Sequence, residues 1–371
     1  MNTSPTISQD EFEQRRQTVR DELARRGLDG LVAFSGYQDR EGHVAYLANH
    51  RNSYPNTLTH LGRGHSAVLI STSGKTALVA PLGYEAQAVG AMDHVYTGGS
   101  LVEEMAKAFK ALHLERGRLG IAGMDVIPAE YYLQLQKEFS RAAFENANNL
   151  LENMRLVKSP AEIECLRAAA RAADDGLRAG LAAVRPGAGG HEIELAARRA
   201  AYDAGAEFII RVRVSIGKSI KLLQWPQISA SRLENGDLVF LDLIGFCNGY
   251  GFDCSRVAVA GSPTSQQAAF LAHLAEATDW MVNVIKPGVE NRIYLAESRG
   301  SLITPAAHGI GLEIAETPII SAGTPFLARP GMVLCIEPEI SSPQFGEGSV
   351  ENMVLVTKSG VEVLNQLPAF R

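Results

Sequence analysis

The first part of the chain alternates between helical and strand-like patterns of apolar positions. Apolar residues at helical spacing predict three helices, at Ser8–Arg26, Glu103–Leu112 and Ala129–Phe139. Short apolar runs predict four buried strands, at Gly30–Ser35, Ala67–Ser71, Thr76–Pro81 and Leu119–Ala122. Helices that alternate with strands indicate an α/β domain, which we expect to span residues 1–150.

A strong helix-start signal marks a second domain, expected at residues 151–371. Ser159, Pro160 and Glu162 form a capping box with proline at the first helical position, which predicts a long helix. Proline and glycine in Arg185-Pro186-Gly187 end that helix, because neither residue continues it.

The same arrangement occurs twice in this second domain. A helix at His191–Ala204 follows the first Pro-Gly stop, and Thr264–Ile285 predicts another long helix. Lys286-Pro287-Gly288 then repeats the stop, and a further helical stretch is expected after it. The repeat indicates a duplicated, pseudo-symmetric α+β domain with a cleft where the two sets of strands meet.

Composition narrows the class of protein. The chain has 371 residues, 46% hydrophobic and 20% charged, which is enough for two globular cores. No apolar run has the length of a membrane span, and the polar N-terminus lacks a secretory pattern, so we expect a cytoplasmic protein with no membrane partner. A net charge of −6 without a basic stripe favours a small-molecule or peptide substrate over nucleic acid. The four cysteines show no CxxC spacing, which predicts reduced thiols.

Two aspartates flank a predicted hairpin. Asn248-Gly249 is a strong two-residue turn, and without a bulge the ladder places Asp253 opposite Ile244. Asp242 then shares a face with Asp253, with Cα atoms about 7 to 8 Å apart. Asp242 lies in a run that is apolar on both faces, where an unpaired carboxylate costs several kcal/mol. Because Arg256 is the one basic residue of the hairpin, a metal ion is the simplest compensation; solvent-facing acids on an edge hairpin are the alternative.

Three further candidate ligands follow in chain order. His308, Glu337 and Glu351 each lie beside apolar or glycine-rich sequence. Any one of them alone is more often a structural residue than a ligand. Together with the two aspartates, however, they offer four carboxylates and one imidazole. This set suits manganese, cobalt, iron or zinc, and it can bridge two ions.

The order and spacing of these five residues resemble the superfamily of aminopeptidase P, prolidase, methionine aminopeptidase and creatinase, which has the pita-bread fold. The matching elements are D-x10-D at Asp242 and Asp253, HGxGLE at His308, IEP at Glu337 and the last acidic ligand at Glu351. The motifs cover residues 155–370, and residues 1–150 resemble the N-terminal α/β domain of the creatinase and prolidase branch.

The resemblance implies a metal-dependent hydrolase of C–N bonds of the Xaa-Pro dipeptidase type, with two divalent ions and manganese as the expected metal. It implies that Asp253 and Glu351 bridge the ions, that Asp242 chelates one ion and that His308 with Glu337 holds the other. Glu337 and His308 are the implied catalytic residues, and Glu337 would pass the proton of the attacking water to the leaving nitrogen.

The substrate side departs from the family pattern. Proline peptidases of the family read HGxGLxxHE, and Ala315 replaces the second histidine here. Ser349 replaces the usual arginine before the last glutamate, and the histidine expected before the hairpin is missing near Trp225. These changes predict a rebuilt substrate shell. Trp225 either offers its ring to a cationic or flat substrate or packs in the core.

Other functions stay open on the same resemblance. Some relatives are hydrolases or lyases of small zwitterionic metabolites such as ectoine and dimethylsulfoniopropionate. Others are non-catalytic binding modules, which the five intact ligands disfavour. The N-terminal domain of relatives helps to form a homodimer and lends residues to the neighbour's site. His50, Arg51, Tyr54 and His60–His65 are candidates for that role, with ordinary solvated loops as the alternative.

Overall fold

A computed structural model describes residues 6–36, 41–52, 64–81, 83, 89–292, 302–303, 307–321 and 323–369. The chain divides into two compact units, an N-terminal unit (Ile7–Arg155) and a C-terminal unit (Leu156–Arg371). The domain boundary predicted at residue 150 falls inside the helix that ends the N-terminal unit. Among the described residues, no helix combines the length and the apolar character needed to cross a bilayer.

The N-terminal unit is a mixed six-stranded sheet with five helices among its described residues. Its helices are α1 (Gln9–Arg26), α2 (Gly42–Ala48), α3 (Leu101–Leu112), α4 (Ala129–Glu138) and α5 (Asn148–Arg155). Its strands are β1 (Gly30–Gly36), β2 (His65–Ser71), β3 (Thr76–Val79), β4 (His94–Tyr96), β5 (Gly117–Ala122) and β6 (Ala142–Asn146), in the order β4-β3-β2-β1-β5-β6. All three predicted helices and all four predicted strands are present, with small shifts at their ends.

Local signals explain where the first helix begins and ends. The Ser8 hydroxyl accepts a hydrogen bond from the backbone N–H of Glu11, which satisfies one free donor of the first turn. At the other end Gly27 adopts a left-handed conformation (φ 66°), which costs glycine little.

The C-terminal unit combines long helices with antiparallel sheets. Its helices are α6 (Pro160–Ala182), α7 (Gly190–Asp203) and α8 (Ser265–Val284). Its strands are β7 (Phe208–Gly217), β8 (Leu238–Cys247), β9 (Tyr250–Val259), β10 (Glu290–Arg292), β11 (Leu302–Ile303), β12 (Ala307–Gly309), β13 (Glu316–Ile320), β14 (Pro325–Leu327), β15 (Val333–Ile336), β16 (Glu339–Ser342), β17 (Gly346–Ser349), β18 (Asn352–Val356) and β19 (Val361–Val363). The sheets are β7-β8-β9, β13-β12-β15-β18-β19, β11-β16-β17 and β10-β14.

One prediction for this unit is wrong in its described part. A helical stretch was expected after the stop at Lys286-Pro287-Gly288, but Glu290–Arg292 forms strand β10 and pairs with β14. The Asn291 side chain accepts a hydrogen bond from the Lys286 N–H and donates one to the Lys286 carbonyl, which holds the turn closed. The residues that follow Arg292 in the expected helix lie outside the described part of the chain.

Helix α6 packs on one face of the β7-β8-β9 sheet, and the candidate ligand Asp242 lies on the opposite face. The predicted capping box starts this helix, since Ser159 and Glu162 exchange side-chain and backbone hydrogen bonds. Gly176 lies where a Cβ atom would stand 2.5 Å from Leu243 Cδ2, so the helix approaches the sheet closely. Because successive side chains of a strand point to opposite faces, Asp242 points away from α6.

Buried polar groups fasten the C-terminal segment to this scaffold. The Arg256 guanidinium is completely buried and donates to the carbonyl oxygens of Leu367 and Pro368. The same guanidinium donates to the carbonyl oxygen of Glu351 at 2.7 Å. Asp174 on α6 accepts hydrogen bonds from the backbone N–H groups of residues 366 and 367. One guanidinium therefore ties the end of the chain to the backbone at Glu351.

Replacing this guanidinium is expected to destabilise the protein strongly. Arg256→Met removes the donor to four carbonyl oxygens, those of Ser255, Glu351, Leu367 and Pro368. Because each unpaired buried acceptor costs about 1–3 kcal/mol, we expect a loss of about 3 kcal/mol or more in urea unfolding. The matched change Arg199→Met, at an exposed arginine 3.8 Å from Asp203, is expected to cost less than about 0.5 kcal/mol. Equal urea midpoints for Arg256→Met and Arg199→Met would contradict the stabilising role of the Arg256 hydrogen bonds.

Candidate metal centre

Asp242 and Asp253 lie side by side on one face of the β8-β9 hairpin. The two strands pair without a bulge around Asn248-Gly249, with Ile244 opposite Asp253 and Asp242 opposite Ser255. Both turn residues have positive φ, as a two-residue hairpin turn requires. The register is the predicted one, and both carboxyl groups are buried.

A second sheet supplies the other three predicted residues. His308 on β12 faces Cys335 on β15, Glu337 directly follows β15, and Glu351 directly precedes β18. His308 Nε2 lies 3.4 Å from Glu337 Oε1 and 4.0 Å from both Asp253 Oδ2 and Glu351 Oε1. The fold therefore brings together five residues that are spread over more than a hundred positions of the chain.

Four of the five predicted residues, together with Cys335, form two overlapping groups of donor atoms. Asp242, Asp253 and Glu351 each place one oxygen within 4.8 Å of the others, and His308, Cys335 and Glu351 do the same with their donor atoms. Glu351 belongs to both groups. Among the described residues, Asp242 Oδ1 and Glu351 Oε1 are buried and have no hydrogen-bond partner. Since buried polar atoms are nearly always paired, these oxygens and this donor set fit a pair of divalent cations.

Cys335 is a donor that was not among the predicted ligands. Its thiol donates a hydrogen bond to the Asp253 carbonyl oxygen at 3.7 Å. Burial raises the pKa of this thiol well above its usual range, so it stays neutral. A neutral thiol that supports the Asp253 backbone is a poorer ligand than the carboxylates around it. The available signal was its position two residues before Glu337, on the same strand face.

The strand beside the hairpin supplies the basic charge that faces Asp242. Strand β7 pairs with β8 and places Arg213 opposite Asp242, with Nη1 3.3 Å from Asp242 Oδ2. Arg211 Nη2 lies 4.0 Å from the same oxygen. Arg256, the basic residue inside the hairpin, turns to backbone carbonyls instead. The expectation that a metal ion is the simplest compensation for Asp242 is therefore incomplete, because two arginines already balance part of its charge.

Burial shifts the pKa values of the residues in the cluster. Loss of hydration raises the pKa of Asp253 and of Glu351 well above the usual carboxyl range, and neighbouring carboxylates raise both further. Burial likewise raises the pKa of Glu337 to about 8 and lowers the pKa of His308. Without cations the cluster therefore retains protons near neutral pH.

Contacts around His308 fix the orientation of its ring. Nδ1 lies 3.0 Å from the Gly309 carbonyl oxygen, so Nδ1 carries the proton and Nε2 faces the cluster. A buried ion pair of 2.6 Å between Lys158 and Glu316 lies beside this loop, since Glu316 pairs with Gly309 in the β12-β13 ladder. These contacts hold the imidazole nitrogen that a metal would use.

The predicted substrate residues of the C-terminal unit have different environments. The Trp225 side chain is 88% exposed, so the alternative that it packs in the core is wrong. Ala315 is also exposed, in the segment between β12 and β13. Ser349 ends β17 and is buried, with a hydroxyl that has no hydrogen-bond partner among the described residues. Their roles in substrate binding stay predictions.

Two of the candidates in the N-terminal unit, His50 and His65, are buried. His50 is buried, and burial lowers its pKa to about 4. His65 is buried as the first residue of β2 and makes an edge contact with Tyr131. Arg51 pairs with Glu41 at 2.9 Å. The solvated alternative is therefore wrong for the two histidines. Tyr54 and the segment 60–63 lie outside the described residues.

Two family models match the chain and together cover most of it. Residues 164–358 match metallopeptidase family M24, and residues 15–157 match the creatinase/prolidase N-terminal domain. The chain belongs to metallopeptidase family M24. The predicted family, the fold class and the expectation of a metallopeptidase-type enzyme homologous to Xaa-Pro dipeptidases are confirmed.

Individual relatives agree with this assignment. The chain is 27% identical to the peptidase YqhT of Bacillus subtilis (strain 168) over 82% of its own length and 89% of that protein. It is 28% identical to a Xaa-Pro dipeptidase of Pyrococcus horikoshii over 71% of its own length and 77% of that protein. The solved Xaa-Pro dipeptidase from Bacillus anthracis superposes with a TM-score of 0.78 at 25% identity, covering 96% of this chain and 98% of that one. The prolidase from Pyrococcus horikoshii OT3 has the same TM-score at 23% identity, covering 96% and 100%.

The retained protons predict how the metal-free protein responds to pH. Above pH 6.5, where an unfolded glutamate with its ordinary pKa of 4.5 is deprotonated, folded Glu337 still holds a proton up to about pH 8. The folded state then binds more protons than the unfolded state, so the free energy of unfolding falls as pH rises through this window. We expect the melting temperature after EDTA dialysis to fall from pH 6.5 to 8, and to fall less steeply in Glu337→Gln. The exposed control Glu164→Gln should keep the wild-type slope, and an unchanged slope in Glu337→Gln would contradict the assignment.

Proposed function

We propose that the protein hydrolyses a C–N bond of a dipeptide or small amide with two divalent metal ions, preferably manganese, and a substrate shell rebuilt around Ala315 and Ser349. The supporting observation is the pair of donor groups that share Glu351 and contain unpaired buried oxygens. Similarity to Xaa-Pro dipeptidases supports a peptide-like substrate. A homodimer and a cytoplasmic location belong to the same proposal.

The five candidate ligands would hold the ions in different ways, according to their positions in the cluster. Glu351, common to both donor groups, and Asp253, which lies next to both Asp242 and His308, would bridge the two ions. Asp242 would complete one site, and His308 with Glu337 would complete the other. The bound ions would supply electrophilic activation of the scissile carbonyl and of the attacking water.

Glu337 is the residue best placed to move a proton. Its side chain is 22% exposed, whereas Asp242, Asp253 and Glu351 are nearly closed to solvent. It therefore reaches both the cluster and the open side of the site, where a substrate would enter. A carboxylate in this position can take a proton from the attacking water and deliver it to the leaving nitrogen. His308, 3.4 Å away, presents Nε2 to the same space.

Two residues favour a second candidate function. Ala315 offers only a methyl group, and Ser349 a small hydroxyl, where proline peptidases of the family carry larger donors. Fewer fixed donors leave room for a compact zwitterionic metabolite of the ectoine or dimethylsulfoniopropionate type, cleaved by hydrolysis or by elimination. A non-catalytic binding protein is the least favoured candidate, because all five ligand positions are retained.

Metal content and turnover test the proposal together. The manganese-loaded protein is expected to hold two ions per chain and to hydrolyse at least one Xaa-Pro dipeptide at roughly 1–1000 per second. Asp253→Asn is expected to lose at least one ion and all measurable turnover, because a bridging oxygen is removed. Elemental analysis and release of free proline are the two measurements.

A control and the possible outcomes make the test specific. Asp203→Asn alters an exposed aspartate at the end of α7 and should change neither measurement. If the protein binds two ions but hydrolyses no dipeptide, the proposed metal centre is supported and the dipeptide substrate is not. Zwitterionic metabolites would then be the next substrates to test. A wild-type protein that binds no divalent ion would overturn the proposal.

A further inference from the structure

Two arginines of β7 lie on the same sheet face as the predicted ligands. Strand pairing sets Arg213 opposite Asp242, and it sets Arg211 opposite Ile244, which in turn faces Asp253. On the sheet face that carries Asp242 and Asp253, Arg213 and Asp242 therefore form one cross-strand row. Arg211, Ile244 and Asp253 form the next row. None of the motifs of the family resemblance includes these arginines.

Arg211 is the first residue of β7 after a bulge, and it shares a sheet face with Arg213 because the ladder from Arg211 onward is regular. The register between β7 and β8 shifts between Ile209 and Arg211, so two residues of β7 match a single step of β8. The extra residue, Ile210, is exposed. Bulges of this kind re-aim side chains and occur often beside active sites.

The two guanidinium groups are used differently. The Arg213 side chain is 10% exposed and lies 3.3 Å from Asp242 Oδ2, which makes it the counter-ion of that carboxylate. The Arg211 side chain is 31% exposed and lies 4.0 Å from the same oxygen. Its Nε is buried and makes no hydrogen bond to any described residue. Arg211 therefore has donor capacity that the protein does not use.

The charge of the loaded site favours an anion next to Arg211. Two divalent ions would offset the four carboxylates Asp242, Asp253, Glu337 and Glu351, and the two arginines would add two positive charges. Glu339, whose charge acts on Glu337, and Glu347, whose charge acts on Glu339, are further acids nearby, and each would return one negative charge when ionised. On the β7 side the two arginines are the fixed positive charges, so an ammonium group of a substrate would be repelled there and an anion attracted.

We propose that Arg211 binds a carboxylate of the substrate and that Arg213 is a positioning residue that holds Asp242. The substrate class is thus a carboxylate-bearing dipeptide or amide, with its acidic group directed toward β7. A guanidinium matches a carboxylate with two parallel N–H donors, and the Arg211 side chain is 31% exposed, so part of it is open to a ligand. Arg211 would in this way provide, from another strand, the cation that Ser349 cannot provide. This inference rests on the proposed function, since it assigns the substrate of the same site.

Isosteric substrates locate the recognised carboxylate. We would compare the manganese-loaded wild type and Arg211→Gln on Glu-Pro, Gln-Pro and Gln-prolinamide. Arg211→Gln is expected to raise KM by roughly 10- to 100-fold for the substrate whose carboxylate Arg211 binds, and by less than about twofold for its amide. A selective loss on Glu-Pro identifies the side-chain carboxylate, and an equal loss on Glu-Pro and Gln-Pro identifies the terminal one. An equal change on all three substrates would overturn the assignment.

Arg213 gives a contrasting pattern if it positions Asp242. Arg213→Gln is expected to lower kcat on all three substrates alike with little change in KM, and Arg213→Lys is expected to restore most of the rate. A KM effect confined to the acidic substrates would instead make Arg213 the recognising residue and overturn the division of roles.

A binding measurement separates this inference from the proposed function. Calorimetric titration of the manganese-loaded protein with glutarate does not depend on turnover. Arg211→Gln is expected to weaken glutarate binding at least tenfold, whereas the exposed control Arg199→Gln leaves it unchanged and the neutral glutaramide shows no binding. If glutarate binding follows this pattern but no dipeptide is hydrolysed, only the proposed reaction is contradicted. Glutarate binding that is the same in wild type and Arg211→Gln would contradict the inference alone.

Discussion

Burial of four carboxylates within a few ångströms of one another is the constraint on which the C-terminal unit depends. Loss of hydration makes their ionised forms costly, and each charge raises the pKa of its neighbours. The fold meets this cost in two ways. Arg213 and Arg211 supply fixed positive charge from β7, and the remaining unpaired oxygens converge where cations fit. A sheet face that would otherwise be an ordinary apolar core thereby becomes a site for charged chemistry.

Such a cluster keeps its shape only if the surrounding backbone is rigid. Both aspartates lie inside a hairpin that is paired along its whole length, and Glu351 is tied to β9 through its own N–H and through Arg256. Repulsion between the carboxylates pushes these elements apart, and the buried hydrogen bonds of Arg256 oppose it. Stability and metal chemistry are therefore linked through one backbone segment.

Local signals predicted the parts of this structure that depend on few residues. Asn248-Gly249 fixed the hairpin register, and Ser159 with Glu162 fixed the start of α6. Parts of the structure that depend on pairing between strands far apart in the chain could not be predicted from local signals. Strand β10 forms because β14 lies beside it, and Arg211 reaches the cluster because β7 pairs with β8 in a register that leaves no local mark in the sequence. The five candidate ligands were proposed because their motifs resemble a family, whereas the arginines have no such motif.

The position of a cation in the site matters as much as its presence. Relatives of the proline-peptidase type carry an arginine at the position of Ser349, at the end of β17, whereas this chain carries Arg211 on β7. On the proposed function, an arginine at either position would add one positive charge beside the metal ions. The direction from which an anionic group can approach is different, because β7 and β17 belong to different sheets. A substrate that fits one arrangement presents its scissile bond differently in the other, so specificity can change while the ligand shell stays the same.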